Sequence, residues 1–425
     1  MKKLLALVLC AFLLLGLVAC GGAEEAQTPE EPALQVGFGR ADITPQESVQ
    51  LHGYFNAERR WSKAVLDPLY ATCVAFTDGD GNTLLLFHLD ICVPNGTKLP
   101  FIRKAVADAA GISIDHVMLA ATHTHSGPKI DSDHLSMERY CEYMKTQMLA
   151  AAQEALDDRK SAQMYTTTTE LEKMNFVRHY RLDNGSVIGD NFGDPNSGTI
   201  VDQVREADNE MQLIRFKREG GKDVVLVNWQ VHPHRTGDEN AGNISADIVG
   251  AMRMYMEPRM DCYMAYFTGA SGDLNPTSRL VSENISGDYL EQGALMAQEA
   301  ILACDDMTEQ KTGKVQILRK DQEVTKEGAP VKFVTYAFSV GDVAFITAPY
   351  EMFDTNGKFI KDNSPFETTF IVTCANATNH YVAAEWAYYD DVPAYEATNG
   401  GYEKGTAENL ADGFVAMLGE LYPTR

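Results

Sequence analysis

Ten histidines are spread unevenly along the chain, and two groups of them sit where chemistry is usually built. Ala121-Thr122-His123-Thr124-His125-Ser126-Gly127-Pro128 follows directly on the apolar run 116–121. In an extended segment residues two apart point to one face, so His123 and His125 can face a common cleft at that strand's end. The second group repeats the context: Val224-Val225-Leu226-Val227-Asn228-Trp229 reads as a buried strand, and His232-Pro233-His234-Arg235 follows it. Pro233 keeps His232 out of a helix and places its ring on a loop projected from the strand end. Either group alone fits structural histidines bonding nearby backbone. Two strand ends that each deliver His are how metal sites, and His-based acid/base sites, are assembled. A third end, Phe267-Thr268-Gly269-Ala270-Ser271-Gly272-Asp273-Leu274-Asn275-Pro276, offers glycines for close backbone approach, or simply a tight turn. A fourth, Phe345-Ile346-Thr347-Ala348-Pro349-Tyr350-Glu351-Met352, ends in an acid that suits either a helix first turn or a ligand role. Asn379-His380-Tyr381-Val382 follows the last apolar strand.

The elements that must position these residues alternate without a clear linker. Residues 70–76 and 83–89 read as a hairpin around Asp78-Gly79-Asp80-Gly81-Asn82, a turn without the Gly and distal Glu offsets of a calcium loop. Periodicity predicts helices over 98–110, 135–156, 246–256, 289–303, from about 352, and over 403–418. Strands are predicted at 116–121, 211–216, 224–228, 264–267, 314–325, 333–338, 343–347 and 370–374. Strand, helix, strand in succession suggests parallel βαβ units, and hence one large α/β domain of layered, mixed-sheet type with its site at the carboxyl ends of strands.

Size and charge narrow the function classes. The 425 residues carry 36 Lys+Arg against 60 Asp+Glu, a net charge of −24. A surface that negative repels phosphate backbones, and no Lys/Arg run offsets it, which excludes nucleic acid as a partner. The start Met1-Lys2-Lys3, an apolar run over 4–17 and the close Leu17-Val18-Ala19-Cys20-Gly21 predict a secretory signal over 1–19. Leu-Val-Ala-Cys resembles a bacterial lipobox, so Cys20 is expected to carry lipid and to hold the protein outside the cytoplasm at the cell membrane. Residues 20–34, acidic and Pro-containing, read as a tether to a single domain over 35–425. Cys73, Cys92, Cys141, Cys262, Cys304 and Cys374 contain no Cys-x-x-Cys pair, which argues against a zinc ribbon and leaves their pairing open.

In these blocks the chain resembles the neutral/alkaline non-lysosomal ceramidases. The resemblance begins at Val36-Gly37-Phe38-Gly39-Arg40-Ala41-Asp42-Ile43-Thr44-Pro45 and runs through Gly53-Tyr54 to residues 121–128, where it is strongest. It continues at 228–232, at Ser245-Ala246-Asp247 with Gly250, and at 272–276. It closes at 349–351, Tyr381-Val382 and Gly400-Gly401-Tyr402-Glu403. It implies one catalytic Zn2+, held by His123, His232, Glu351 and Tyr381, and hydrolysis of an N-acyl amide, ceramide or a related lipid amide, by zinc-activated water. It further implies His125 beside the attacking water or oxyanion, Tyr402 as a donor to the same oxygen, and Asp247 as an acceptor behind a ligand histidine. Asn275 stands where the ceramidases carry a Ser in Gly-Asp-Val-Ser-Pro, so ceramide itself is in question. A zinc hydrolase of a different envelope or environmental amide or ester, or a catalytically inactive binding lipoprotein of the same fold, are the alternatives. The sequence ends 23 residues after Tyr402, without the C-terminal immunoglobulin-like domain those enzymes usually carry. The aromatic, acidic stretch Glu385-Trp386-Ala387-Tyr388-Tyr389-Asp390-Asp391 fits either a lid or a plain surface loop.

Overall fold

Side-chain alternation along the strands decides the layers. In β1 (Gln35–Asp42), β2 (Tyr70–Thr77) and β3 (Thr83–Leu89) both faces are apolar: Leu84 and Leu86 point one way, Leu85, Phe87 and Leu89 the other, and all are buried. Such strands need cover on both sides. The computed structural model describes residues 34–422 apart from 55–58, 97, 238–239, 281–283 and 285–286. The expected signal segment, Cys20 and the tether up to residue 33 lie outside the described residues. Leu34 belongs to the core rather than the tether: it is buried, and its carbonyl accepts from the Ala162 amide.

After the hairpin come α1 (Lys98–Ala110), β4 (Val117–Ala121), α2 (Leu135–Asp157), β5 (Lys160–Glu170), β6 (Glu210–Arg218), β7 (Asp223–Trp229), α3 (Asp247–Met260), β8 (Cys262–Thr268) and α4 (Tyr289–Ala303). Their sheet has the order β8-β7-β6-β5-β1-β2-β3-β4. A second sheet, in the order β9-β10-β11-β12, is built from β9 (Val315–Lys326), β10 (Ala329–Val340), β11 (Val343–Thr347) and β12 (Thr368–Val372). With it come α5 (Asp354–Asn363) and α6 (Thr406–Leu421). Phe76, Leu86, Phe216 and Phe267 of the first sheet meet Phe338, Phe345 and Phe370 of the second. The outer face of the first sheet is covered by α1 and α2 at one end and by α3 and α4 at the other, and α5 and α6 cover the second sheet. The result is four layers, helix, sheet, sheet, helix. Helix α2 lies close to β1 because Gly39 has no side chain there: a Cβ would fall 2.1 Å from the Ala151 carbonyl oxygen.

The expected parallel βαβ units exist, but as a minority inside mixed sheets. Parallel pairs are β3 with β4 across α1, β7 with β8 across α3, and β11 with β12 across α5; the other neighbours of the two main sheets are antiparallel. Strand β5 has partly exposed positions and many threonines, so it lacks the apolar signal that revealed its neighbours. The acidic loop after β2 is a turn, as expected: the Asp78 carboxylate accepts from the amides of Asp80 and Asn82 and from that of Val315 at the start of the second sheet.

The carboxyl ends of the parallel strands are tied to one another. The Thr373 amide donates to Thr268 O at 3.0 Å, Thr268 Oγ1 to Thr122 O at 2.8 Å and the Ala121 amide to Cys374 O at 3.2 Å. Asn228, buried in β7, joins the two sheets: its amide nitrogen donates to Phe267 O and Ile371 O, both at 2.8 Å, and its oxygen accepts from the Ile371 amide at 2.9 Å. Asn228→Ala strands these buried backbone groups and is expected to lower unfolding stability by about 3 kcal/mol, read from denaturant melts.

Candidate metal centre

One strand of each parallel pair delivers part of one cluster. His123 follows β4, His232 follows β7, and Glu351 follows β11. One Nε2 or carboxylate atom from each lies within 4.8 Å of the other two. Glu351 Oε2 is 3.4 Å from His123 Nε2 and 3.3 Å from His232 Nε2. Both rings are oriented from behind by backbone: His123 Nδ1 donates to Cys92 O at 2.8 Å, and His232 Nδ1 to Ser271 O at 2.7 Å. With Nδ1 protonated, each Nε2 presents a lone pair to the centre. His123 holds its ring there from a left-handed backbone, φ 68°, a conformation side chains other than Gly rarely adopt.

The electrostatics agree with that geometry. Burial, reinforced by the charge on His123, pushes His232 down to about 3 and leaves it a neutral donor, while burial and the neighbouring imidazoles push His125 well below its usual range. Burial alone would raise the Glu351 carboxyl; His123 and His232 outweigh it and hold it well below the usual carboxylate range. His232 Nε2 and Glu351 Oε2 are buried atoms without a hydrogen-bond partner among the described residues. Burial would lower His123, but Cys374, Cys92 and Glu351 outweigh it and hold it well above its usual range, so a bound cation would displace the proton on its Nε2. Two imidazoles and a carboxylate converging on one point are then a donor set that fits Zn2+. A second grouping, Cys92 with His123 and His125, is also compact. There the thiol lies on the Nδ1 side of His123, 4.0 Å away, where the ring proton is already given to a carbonyl.

Tyr381 is brought to the cluster by backbone pairing: Glu351–Met352 and Tyr381–Val382 form a short parallel bridge with Glu351 opposite Tyr381. The Tyr381 ring stacks on His232, centroids 6.5 Å apart, and the Arg178 guanidinium lies 5.4 Å from its centroid. Burial and Glu351 push the Tyr381 phenol well up, with Arg178 opposing, so a phenolate at this position needs a cation beside it. His125 Nε2 is 3.4 Å from His123 Nε2, and its ring packs where Gly53 leaves room: at φ +107° a Cβ there would fall 2.4 Å from His125 Cγ.

The other expected residues are placed differently. Tyr402 lies outside the cavity lining; its ring packs edge-on to Phe333 and its hydroxyl donates to Asn379 O at 3.0 Å, so it has no proton to offer the centre. Asp247 backs no ligand histidine, because backbone carbonyls fill that role. Its carboxylate instead accepts from the amides of Arg235, Thr236 and Ile248 and fixes the loop that carries His232 and His234. Asn275 lines the cavity beside the cluster. The stretch 385–391 is anchored at its aromatic residues and exposed at Glu385, Asp390 and Asp391. Trp386 packs on Phe353 and His179, and Tyr388 donates to Tyr402 O, behind the wall.

The cluster opens into a cavity of about 490 Å³ whose lining includes Arg178, Asp190, His234 and Tyr395, four residues the sequence reading did not single out. For His234 a signal existed: His232-Pro233-His234 repeats the His-x-His spacing of His123 and His125. Arg178, Asp190 and Tyr395 stand in no comparable pattern, and the fold alone brings them in. Arg178 is held by Glu396 at 2.7 Å and donates to Gly272 O at 2.8 Å.

The family model described as "Neutral/alkaline non-lysosomal ceramidase, N-terminal" matches residues 34–329. Glu351 and Tyr381 lie beyond that span. Two solved structures share the fold over 93% of this chain and 76% of theirs, each with a TM-score of 0.74: a ceramidase complexed with C2, 16% identical, and the neutral ceramidase from Pseudomonas aeruginosa, 17% identical.

Glu396 sets an acid limit on this wall. Burial would raise its carboxyl, but Arg178 and His179 hold it at about 2 against an ordinary 4.5. A lowered acid stabilises the fold above its unfolded pKa and loses that contribution as pH falls from about 4.5 towards 2, about 3 kcal/mol in all. Unfolding measured against pH should steepen over that window, and in Glu396→Gln the steepening should be smaller by that contribution.

Proposed function

The chain belongs to the neutral/alkaline non-lysosomal ceramidase family, and from that premise we propose that it is a zinc-dependent hydrolase of N-acyl amide bonds. The observation that carries this reading is the convergence of His123, His232 and Glu351 from three strand ends, with buried donor atoms left for a cation. Tyr381 completes the ligand set. Zinc bound there supplies a Lewis acid and a water acidic enough to attack an amide carbonyl at neutral pH.

The rest of the work falls to side chains. Cys92 O and Ser271 O fix the ligand tautomers and keep both Nε2 atoms aimed inward. His125, whose Nε2 lies 3.4 Å from His123 Nε2, would hydrogen-bond the attacking water and relay its proton to the leaving amine. Arg178, charged and locked by Glu396, lies on the same side as Tyr381 and stabilises negative charge developing on the carbonyl oxygen. Asp247 is a positioning residue for the loop of His232 and His234.

The lipobox reading is likewise kept as a proposal: the mature chain begins at a lipidated Cys20 and is held at the outer side of the bacterial cell membrane. A Cys20→Ser chain should leave the membrane fraction, and the N-terminal peptide mass should lose its acyl groups; an unmodified wild-type peptide contradicts the anchor.

Elemental analysis and turnover together test the mechanism. The wild-type chain should hold zinc near one per chain, and His232→Ala should lose both the metal and, by more than about 10²-fold, turnover. His125→Ala should keep the metal and lose about 10²–10⁴-fold in turnover, the scale of a missing acid/base group. A metal-free wild type after zinc-replete preparation contradicts the reading.

A further inference from the structure

Which amide the centre takes is decided by the wall around it. Among the described residues Val93 is the one aliphatic side chain that lines the cavity, and no Leu, Ile, Met or Phe does. The rest of the cavity's apolar surface comes from Cys92 and from Tyr54, Tyr381 and Tyr395, whose rings carry a polar end. Long alkyl chains need an apolar wall. Laid over ionisable and amide groups they strip water from those groups and return no hydrogen bond. Nor do the large exposed apolar residues, such as Phe101, Leu135, Val201 and Leu302, line the cavity to guide such chains out of a bilayer.

The polar groups are arranged rather than scattered. On one side Asn275 accepts from His234 Nε2 at 3.0 Å and donates to the Asp190 carboxylate, whose other oxygen is 3.3 Å from Arg279. The amide meets the two partners with separate atoms, whereas a serine hydroxyl at 275 would have to accept from one and donate to the other through a single oxygen. On the other side Lys129 pairs with Asp131 at 3.0 Å, and His52 lines the cavity with a buried Nδ1 that has no partner among the described residues. A substrate hydroxyl would satisfy His52 Nδ1 and join the paired polar groups, whereas a methylene laid there would leave that nitrogen unpaired. The net charge of −24 disfavours an anionic ligand.

Resting on the amide-hydrolase reading above, we propose that the substrate is a hydrophilic, neutral or cationic N-acyl amine, with an acyl group of a few carbons and a hydroxyl-bearing amine portion. That portion lies against Asp190, Asn275 and His52. Asn275 is thus a specificity residue, selecting polar amides over long-chain lipid amides.

The test gives the zinc-loaded chain N-acetylethanolamine, N-acetylglucosamine, and N-palmitoylsphingosine in mixed micelles, and titrates the metal-free chain with the two hydrophilic amides by calorimetry. The best hydrophilic amide should exceed N-palmitoylsphingosine in kcat/KM by about tenfold or more. Asn275→Ser should narrow that ratio, and Asp190→Asn should weaken binding to the metal-free chain by about tenfold. N-palmitoylsphingosine cleaved as well as or better than every hydrophilic amide overturns this inference and leaves the hydrolase reading standing. If no amide is cleaved, the hydrolase reading fails and calorimetry decides. Saturable binding of a hydrophilic amide upholds the polar site, and its absence overturns it.

Discussion

Three lone pairs in a buried pocket repel one another unless something positive sits among them. His123 Nε2, His232 Nε2 and Glu351 Oε2 are within 4.8 Å, and both rings have already given their one proton to a carbonyl behind them. The arrangement is tolerable with an extra proton, which burial resists on His232 but which Cys374, Cys92 and Glu351 hold on His123 against burial, or with a divalent cation that all three can share. Much of the fold can be read as the means of holding these atoms together against that repulsion.

It does so by joining three βαβ units that are distant in sequence. Each presents the carboxyl ends of two parallel strands, and the ends are laced by Thr122, Thr268, Thr373 and Cys374 so that none can drift. The antiparallel strands between them fill out the sheet, and Asn228 fixes one sheet to the other just before the loop that carries His232. Left-handed backbone at His123 and His380 marks where the chain bends sharply to aim a group inward. The second sheet contributes Glu351 and Tyr381 as a bridged pair, so half of the proposed ligand set depends on sheet-to-sheet packing rather than on local sequence.

That division also explains what the sequence made legible. The sequence reading found α1 and α4 at the observed bounds: Gly111 follows the first, and the second starts at the Asp288 cap. His123, His125 and His232 stood out because histidine after an apolar strand is uncommon and locally recognisable. Strand β5 stayed hidden behind its threonines. Arg178 and Asp190 stayed hidden because only three-dimensional packing brings their loops to the cavity. Tyr402 was misplaced for the converse reason: a well-marked motif carried it, yet its hydroxyl is committed to Asn379 O. Asp247 proved to be a loop clamp, since backbone carbonyls do what a carboxylate was expected to do.

Family membership sets the chemistry, while the wall sets what can reach it. The hydrolase proposed here depends on a cation at the meeting point of His123, His232, Glu351 and Tyr381. The most direct measurement is anomalous scattering from crystals of the zinc-loaded chain, collected on either side of the zinc absorption edge. The account predicts a single strong peak within ligand distance, about 2.0–2.2 Å, of His123 Nε2, His232 Nε2 and a Glu351 oxygen. A peak elsewhere, or none at this point in a zinc-replete crystal, would contradict it.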